Sequence, residues 1–255
     1  MKMTTGGTEP NLAAKRHFFF DVDGTLARSH TPVEPSMREL LQALRRSGRT
    51  VTVVTGSDLH YIKQSIPCLW SEADCDFSAL AQSGNMAYDA QGSVVWERPL
   101  REEQKREILG YVARVRAAER FDVPDEGDLV QDRGSQVSFS IYGHNAPVGE
   151  KETVDPDMSK RKALLQKYPF VSQDVDVRIG GTTTFDFFAK GFNKGRNIAD
   201  FIALPRFGWK EEECVYLGDR LEPGGNDETV VGVIDTKAVR DPADCERVVR
   251  GVLES

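Results

Sequence analysis

The run Phe18-Phe19-Phe20-Asp21-Val22-Asp23-Gly24-Thr25-Leu26 restricts what this chain can fold into more than any other stretch of it. Three successive aromatic residues predict a buried strand. Asp21 and Asp23 then carry negative charge to the carboxyl end of that strand, where poor hydration makes it costly unless something offsets it. A divalent cation supplies that offset, and hard carboxylate oxygens suit Mg²⁺. In an open α/β sheet, ligands collect in the crevice beyond the carboxyl ends of the strands.

The flanking pattern agrees with such a sheet. Met37, Leu40, Leu41 and Leu44 recur at helical spacing within residues 36–47, and Gly48 supplies a stop signal. Residues 50–54 are β-branched and continuous, as a strand covered on both faces requires. A helix over 58–66 ends at Pro67, and a strand at 78–82 runs into Ser83-Gly84-Asn85. This βαβαβ rhythm predicts a doubly wound parallel sheet.

The rhythm then changes. Residues 86–88 and 94–96 flank Ala90-Gln91-Gly92 as a hairpin, a charged amphipathic helix covers 101–120, and a strand covers 137–142. An exposed loop, a helix at 157–168 and a second hairpin, 174–179 with 183–188, follow. The βα rhythm resumes with a helix at 194–204, strands at 214–217 and 230–234, and a helix at 242–253. The expected fold is therefore α/β, a catalytic core of residues 1–85 and 189–255 with an α+β cap inserted at 86–188.

Composition narrows the class. Of 255 residues, 39% are hydrophobic and 29% charged, as in a soluble globular chain, and a net charge of −7 argues against a general nucleic-acid binder. Residues 1–16 hold no apolar stretch of signal-peptide length and read as a lead-in to the first strand; no later stretch could span a bilayer. Cys68, Cys75, Cys214 and Cys245 show neither CxxC pairing nor zinc spacing, which predicts reduced thiols and a cytoplasmic location.

Four fragments carry chemistry: Asp21-Val22-Asp23-Gly24-Thr25, Val54-Thr55-Gly56-Ser57, Lys194, and Gly218-Asp219 through Asn226-Asp227. Each alone admits a plainer role as a cap, a turn, a solvated lysine or a glycine-rich loop. Together, in this order, they suit phosphoryl transfer. An aspartate attacks phosphorus, a cation, a lysine and a hydroxyl offset oxygen charge, and a second carboxylate moves the proton.

The set resembles the haloacid dehalogenase (HAD) superfamily. That resemblance implies Asp21 as nucleophile and Asp23 as general acid/base with its backbone carbonyl on the metal. Thr55 and Lys194 would hold phosphoryl oxygens, and Asp219 would complete the Mg²⁺ site, with Asn226 and Asp227 in support. The insertion point and content match a C2-type cap of subclass IIB. Within that subclass, Gly180-Gly181-Thr182-Thr183-Thr184-Phe185-Asp186 with Gly191-Phe192-Asn193-Lys194, and Gly218-Asp219 with Pro223-Gly224-Gly225-Asn226-Asp227, are similar to motifs of the eukaryotic-type phosphomannomutases.

Carried over residue by residue, the resemblance implies that Arg133, His144, Lys151, Thr184 and Asp186 bind substrate. Thr184 replaces a serine, whereas His144, Lys151 and His30 stand where the mutases have arginines. Arg is a permanently charged bidentate fork; Lys is a point charge, and His is largely neutral at pH 7. Such a cap is less suited to retain a bisphosphate while the sugar turns around. The expectation is therefore a Mg²⁺-dependent phosphatase of a small phosphorylated sugar, with a phosphomannomutase that interconverts mannose 1-phosphate and mannose 6-phosphate as the alternative and a non-catalytic sugar-phosphate sensor as a third reading. The resemblance also allows a homodimer through the cap.

Overall fold

A computed structural model describes residues 9–29 and 31–255. The chain opens with β1 (His17–Asp21), α1 (Pro35–Arg46), β2 (Thr50–Val54), α2 (Leu59–Ser65) and β3 (Ser78–Ala81). A hairpin follows, β4 (Met86–Tyr88) and β5 (Val94–Glu97). Next come α3 (Glu102–Ala118), β6 (Val130–Asp132), β7 (Gln136–Ser140), α4 (Val148–Val154), α5 (Ser159–Lys167), β8 (Val175–Gly180) and β9 (Thr184–Ala189). The chain closes with α6 (Lys194–Ile202), β10 (Cys214–Gly218), β11 (Asp235–Ala238) and α7 (Pro242–Leu253).

Among the described residues, the larger sheet runs β11-β10-β1-β2-β3-β4-β5 and the smaller β6-β7-β9-β8. Strands β11, β10, β1, β2 and β3 are parallel. Helices cover both faces, which is why β1 is buried throughout. Phe18 and Phe20 pack with Met37, Leu41 and Val249 on the α1/α7 side, while Phe19 packs with Ile198 and Phe201 of α6 on the other. The chain moves from β1 outwards to β2 and β3, then returns to the far side of β1 as β10. The crevice at that reversal lies between the ends of β1 and β10, bounded by Asp21 and Asp219.

The smaller sheet is antiparallel and two-faced. Val137, Phe139, Phe185 and Phe187 pack against Ile108, Tyr111, Val112 and Val115 of α3. The alternate positions Gln136, Ser138, Thr184 and Asp186 form a polar face, following the two-residue period of a strand.

Several expectations need correction. The hairpin assigned to the cap belongs to the core sheet: Gln82-Ser83-Gly84-Asn85 reverses the chain, and β4 pairs antiparallel with β3. The inserted material therefore starts beyond Glu97, and Leu100 is already in the apolar cluster under the smaller sheet. The strand expected at 230–234 lies at Asp235–Ala238 instead, because Val230 ends a short 3₁₀ turn and Gly232 turns the chain at φ +85°. The loop expected before the 157–168 helix contains α4, and β6 had no counterpart in the sequence pattern. Cys68 and Cys75 are joined as a disulfide, not free thiols, since turns across 66–75 bring their Cα atoms to 5.9 Å; Cys214 and Cys245 are free and buried. Of the lead-in, residues 1–8 lie outside the described residues, and Leu12–Ala14 forms a 3₁₀ turn. No helix among the described residues is long and apolar enough to cross a membrane.

His17 opens β1 stacked on Trp209, ring centroids 4.2 Å apart, with Nδ1 2.9 Å from Thr50 Oγ1. Burial pushes its pKa down from 6.5 to about 4, against a smaller upward pull from Glu213. The unfolded chain takes up this proton near pH 6.5 and the folded ring only near pH 4. Unfolded protein thus binds more protons between those values, so stability falls as the pH drops through the window, by about 3 kcal/mol for one such group. His17→Phe keeps the stacking and is expected to flatten the dependence of the thermal midpoint on pH across that window. An unchanged slope would remove His17 as its source.

Candidate active site

Four sequence-distant residues meet at the switch point. Asp21 ends β1, Asp219 follows β10, Asp227 sits after the glycine-rich turn, and Lys194 opens α6, whose Asn193 cap accepts from Arg196 N at 3.0 Å. Lys194 Nζ donates to Asp21 Oδ1 at 2.8 Å, to Asp227 Oδ1 at 2.5 Å and to Tyr216 OH at 3.1 Å. Tyr216 OH in turn donates to Asp227 Oδ1 at 2.7 Å. Three carboxylates therefore share a buried pocket with one ammonium.

The electrostatics follow. Burial raises the Asp21 carboxyl well above the usual range, with Asp227 and Asp219 pushing the same way and Lys194 opposing. Burial and Asp227 raise Asp219 to about 6. Burial acts to lower the Lys194 pKa, but Asp21 and Asp227 outweigh it and the ammonium is held protonated. Asp21 Oδ2 and Asp219 Oδ1 are buried without a hydrogen-bond donor, as is Asn226 Oδ1. Oxygen atoms of Asp21, Asp219 and Asp227 lie within 4.8 Å of one another. Orphaned oxygens, excess negative charge and an all-oxygen donor set fit a hard divalent cation such as Mg²⁺. The backbone is shaped around this cluster: Gly24 has φ +83°, and a Cβ there would sit 2.5 Å from Asp219 Oδ2.

Asp23 is half-buried beside this cluster and accepts a hydrogen bond from Tyr61 OH of α2. Thr55 is buried at the end of β2, its Oγ1 accepting from Ser57 N at 3.2 Å. A cavity of about 530 Å³ separates these residues from the polar face of the smaller sheet. Arg133, His144, Lys151, Thr184 and Asp186 all line it, so the structure brings the expected substrate residues opposite the expected catalytic ones. The two parts touch: Gln136 Nε2 donates to Gly56 O at 3.0 Å, and Gln82 Nε2 to Arg133 O at 2.8 Å.

The cap side is less solvated than expected from a loop. His144 is buried because Asp128 pins its segment, accepting from Asn145 N at 2.6 Å. Burial, reinforced by Arg133, lowers the imidazole to about 4, so it is neutral at pH 7. Lys151 is 3% exposed and donates to His144 O at 2.9 Å. Burial raises the Asp186 carboxyl, although Ser138 Oγ donates to it at 2.7 Å. His30 lies outside the described residues.

Three residues near the site escaped the sequence reading. Tyr216 lies within an apolar strand and looked like core; its signal was a hydroxyl three positions before Asp219. Tyr61 sits in the first turn after Val54-Thr55-Gly56-Ser57, a placement that points it at Asp23. Arg178 of β8 pairs in register with Asp186 of β9, which puts both side chains on the cavity face.

Comparisons agree with this geometry. A family model of eukaryotic phosphomannomutases matches residues 37–255. A phosphomannomutase of Drosophila melanogaster is 27% identical over 248 residues, covering 92% of this chain and 94% of its own. Among solved structures, a Streptococcus mutans UA159 protein superposes with a TM-score of 0.65 at 13% identity, covering 94% of this chain and all (100%) of that one. A haloacid dehalogenase-like hydrolase from Bacteroides thetaiotaomicron gives 0.60 at 12% identity, covering 93% and 99%. With Asp21, Lys194 and the acidic loop gathered in one crevice, and a family match over most of its length, the chain belongs to the eukaryotic phosphomannomutase family, whose members are HAD-type phosphoryl-transfer enzymes.

Proposed function

We propose that the protein moves the phosphoryl group of a mannose phosphate between the 1- and 6-oxygens, with Mg²⁺ as cofactor. The observation that carries this reading is the facing of two charge sets across one cavity. Asp21 with Lys194 lies on the core side, and Arg133 with Lys151 on the cap side. In the first half-reaction an Asp21 oxygen bonds to phosphorus as the phosphorus–sugar oxygen bond breaks, and Asp23 donates its proton to the leaving oxygen. In the second, Asp23 takes the proton of the free hydroxyl of a mannose monophosphate as that oxygen attacks the aspartyl-phosphate. A hexose 1,6-bisphosphate is the donor in the first half-reaction and is re-formed in the second, so its reorientation in the cavity exchanges the 1- and 6-positions. Lys194 and Thr55 hold phosphoryl oxygens, and cap closure keeps out bulk water. Asp21, Asp219, Asp227 and the Asp23 carbonyl would hold the Mg²⁺, which supplies positive charge against phosphoryl oxygens.

Hydrolysis is the second reading, favoured by the neutral His144 and by the bond Lys151 spends on a backbone carbonyl. Water then replaces the sugar hydroxyl in the second half-reaction. A homodimer through the cap belongs to the same proposal, whereas the cytoplasmic location expected from four reduced thiols loses that support to the Cys68–Cys75 disulfide. Incubation with mannose 1-phosphate, with and without a hexose 1,6-bisphosphate, separates the readings. Bisphosphate-dependent mannose 6-phosphate without phosphate release is the expected result; steady phosphate release would establish the hydrolase instead.

A further inference from the structure

Arg178 is the permanently charged group on the cavity face that the motifs do not mark. It lies on β8 directly across from Asp186, which itself pairs with Ser138, so the three form one polar row over the cavity. Its guanidinium is 47% exposed, and among the described residues its carboxylate neighbour within 4 Å is Glu228 Oε2, at 3.9 Å. That oxygen is also engaged by Gly224 N at 3.1 Å. A loose, half-solvated ion pair of this kind contributes little and exchanges readily. Arg133, by contrast, is occupied by Gln131 Oε1 at 2.9 Å and Gly56 O at 3.4 Å.

Where His144 offers no charge and Lys151 is turned to a carbonyl, an anion on the cap side still needs a planar, bidentate cation. We propose that Arg178 is a specificity-determining residue that leaves Glu228 to bind the non-transferring phosphate of a hexose bisphosphate. This rests on the phosphomannose reading and deepens it. Glu228 follows Asn226-Asp227 on the core, whereas Arg178 belongs to the cap. The ion pair therefore bridges cap and core without ligand, and the phosphate takes over the guanidinium when the sugar arrives.

The test measures binding, in an Asp21→Asn background that cannot turn substrate over. Glucose 1,6-bisphosphate is titrated calorimetrically in the presence of Mg²⁺, alongside p-nitrophenyl phosphate, which has no second anion. Adding Arg178→Gln is expected to weaken bisphosphate binding about 10- to 100-fold and aryl phosphate binding less than about twofold. Arg178→Lys should recover part of the loss, and Glu228→Gln should tighten bisphosphate binding by removing the competing carboxylate. Equal loss for both ligands, or bisphosphate binding unaltered by Arg178→Gln, overturns the assignment alone. Failure of the Asp21→Asn protein to bind any hexose phosphate overturns the phosphomannose reading and this assignment with it. Because Arg178 is exposed, thermal midpoints within a degree or two of the parent are expected for the variants.

Discussion

Asp21→Asn is expected to lower turnover of every phosphorylated sugar by at least about 10⁴-fold, as loss of a covalent nucleophile does. An amide oxygen in the same place can still accept from Lys194, now at 2.8 Å from Asp21 Oδ1, so the lysine keeps all three of its partners and Asp227 remains as its counter-charge. The fold should hold for a further reason. Burial among Asp219 and Asp227 raises the Asp21 carboxyl, meaning the folded state resists its ionisation. A group with a raised folded pKa withdraws stability as the pH climbs above its unfolded value of 3.8, so at pH 7 the charge is a cost until a cation offsets it. Without divalent ions, the thermal midpoint of Asp21→Asn should therefore equal or exceed that of the parent. With Mg²⁺, the parent should gain more than the variant. Two measurements check this, turnover by phosphorus NMR and melting with and without Mg²⁺. Parent-like turnover would remove Asp21 as phosphoryl acceptor.

Why these residues could be found in the sequence has a physical basis. Asp21, Asp219 and Thr55 each follow a short apolar run, and burying such runs on both faces leaves little freedom over where the next polar side chain goes. Lys194 was legible only through their company. The cap was harder. A hairpin does not declare which sheet edge it will join, so 86–97 read as cap although Ala87 and Tyr88 are buried in the core sheet. Arg178 sits in an alternating strand whose polar face acquires meaning only when β9 brings Asp186 alongside. The disulfide depends on turns at 66–75 that no cysteine spacing encodes. Local pattern thus revealed the core chemistry, while the pairing of distant segments determined what the cap presents to it.

Such pairing also underlies the largest expected stability effect, at Asp155 and Arg161. Arg161 is among the largest fully buried side chains, at 1% exposure, and its Nε lies 2.6 Å from Asp155 Oδ2. Its Nη1 donates to Gly180 O at 2.6 Å and to Gly181 O and Thr184 O at 3.2 Å each. The guanidinium therefore clips together the β8–β9 turn, whose far arm carries Thr184 and Asp186 into the cavity. In the sequence the two charges are six apart near a helix start, where solvated residues are the usual occupants. Asp155→Ala leaves the guanidinium buried without its counter-charge and is expected to cost about 3–5 kcal/mol in the unfolding of the cap. Pairing it with Arg161→Met removes the stranded charge, so the double variant should be more stable than Asp155→Ala alone, short of the parent because four carbonyls, that of residue 155 included, lose their donor. Denaturant melts of the three proteins decide it, and an Asp155→Ala midpoint equal to the parent's would refute the clip. The same variant separates scaffolding from chemistry. Below its melting range it should raise KM for a sugar phosphate through the displaced turn while retaining Asp21-dependent phosphoryl transfer, whereas Asp21→Asn abolishes transfer in a cap that stays intact.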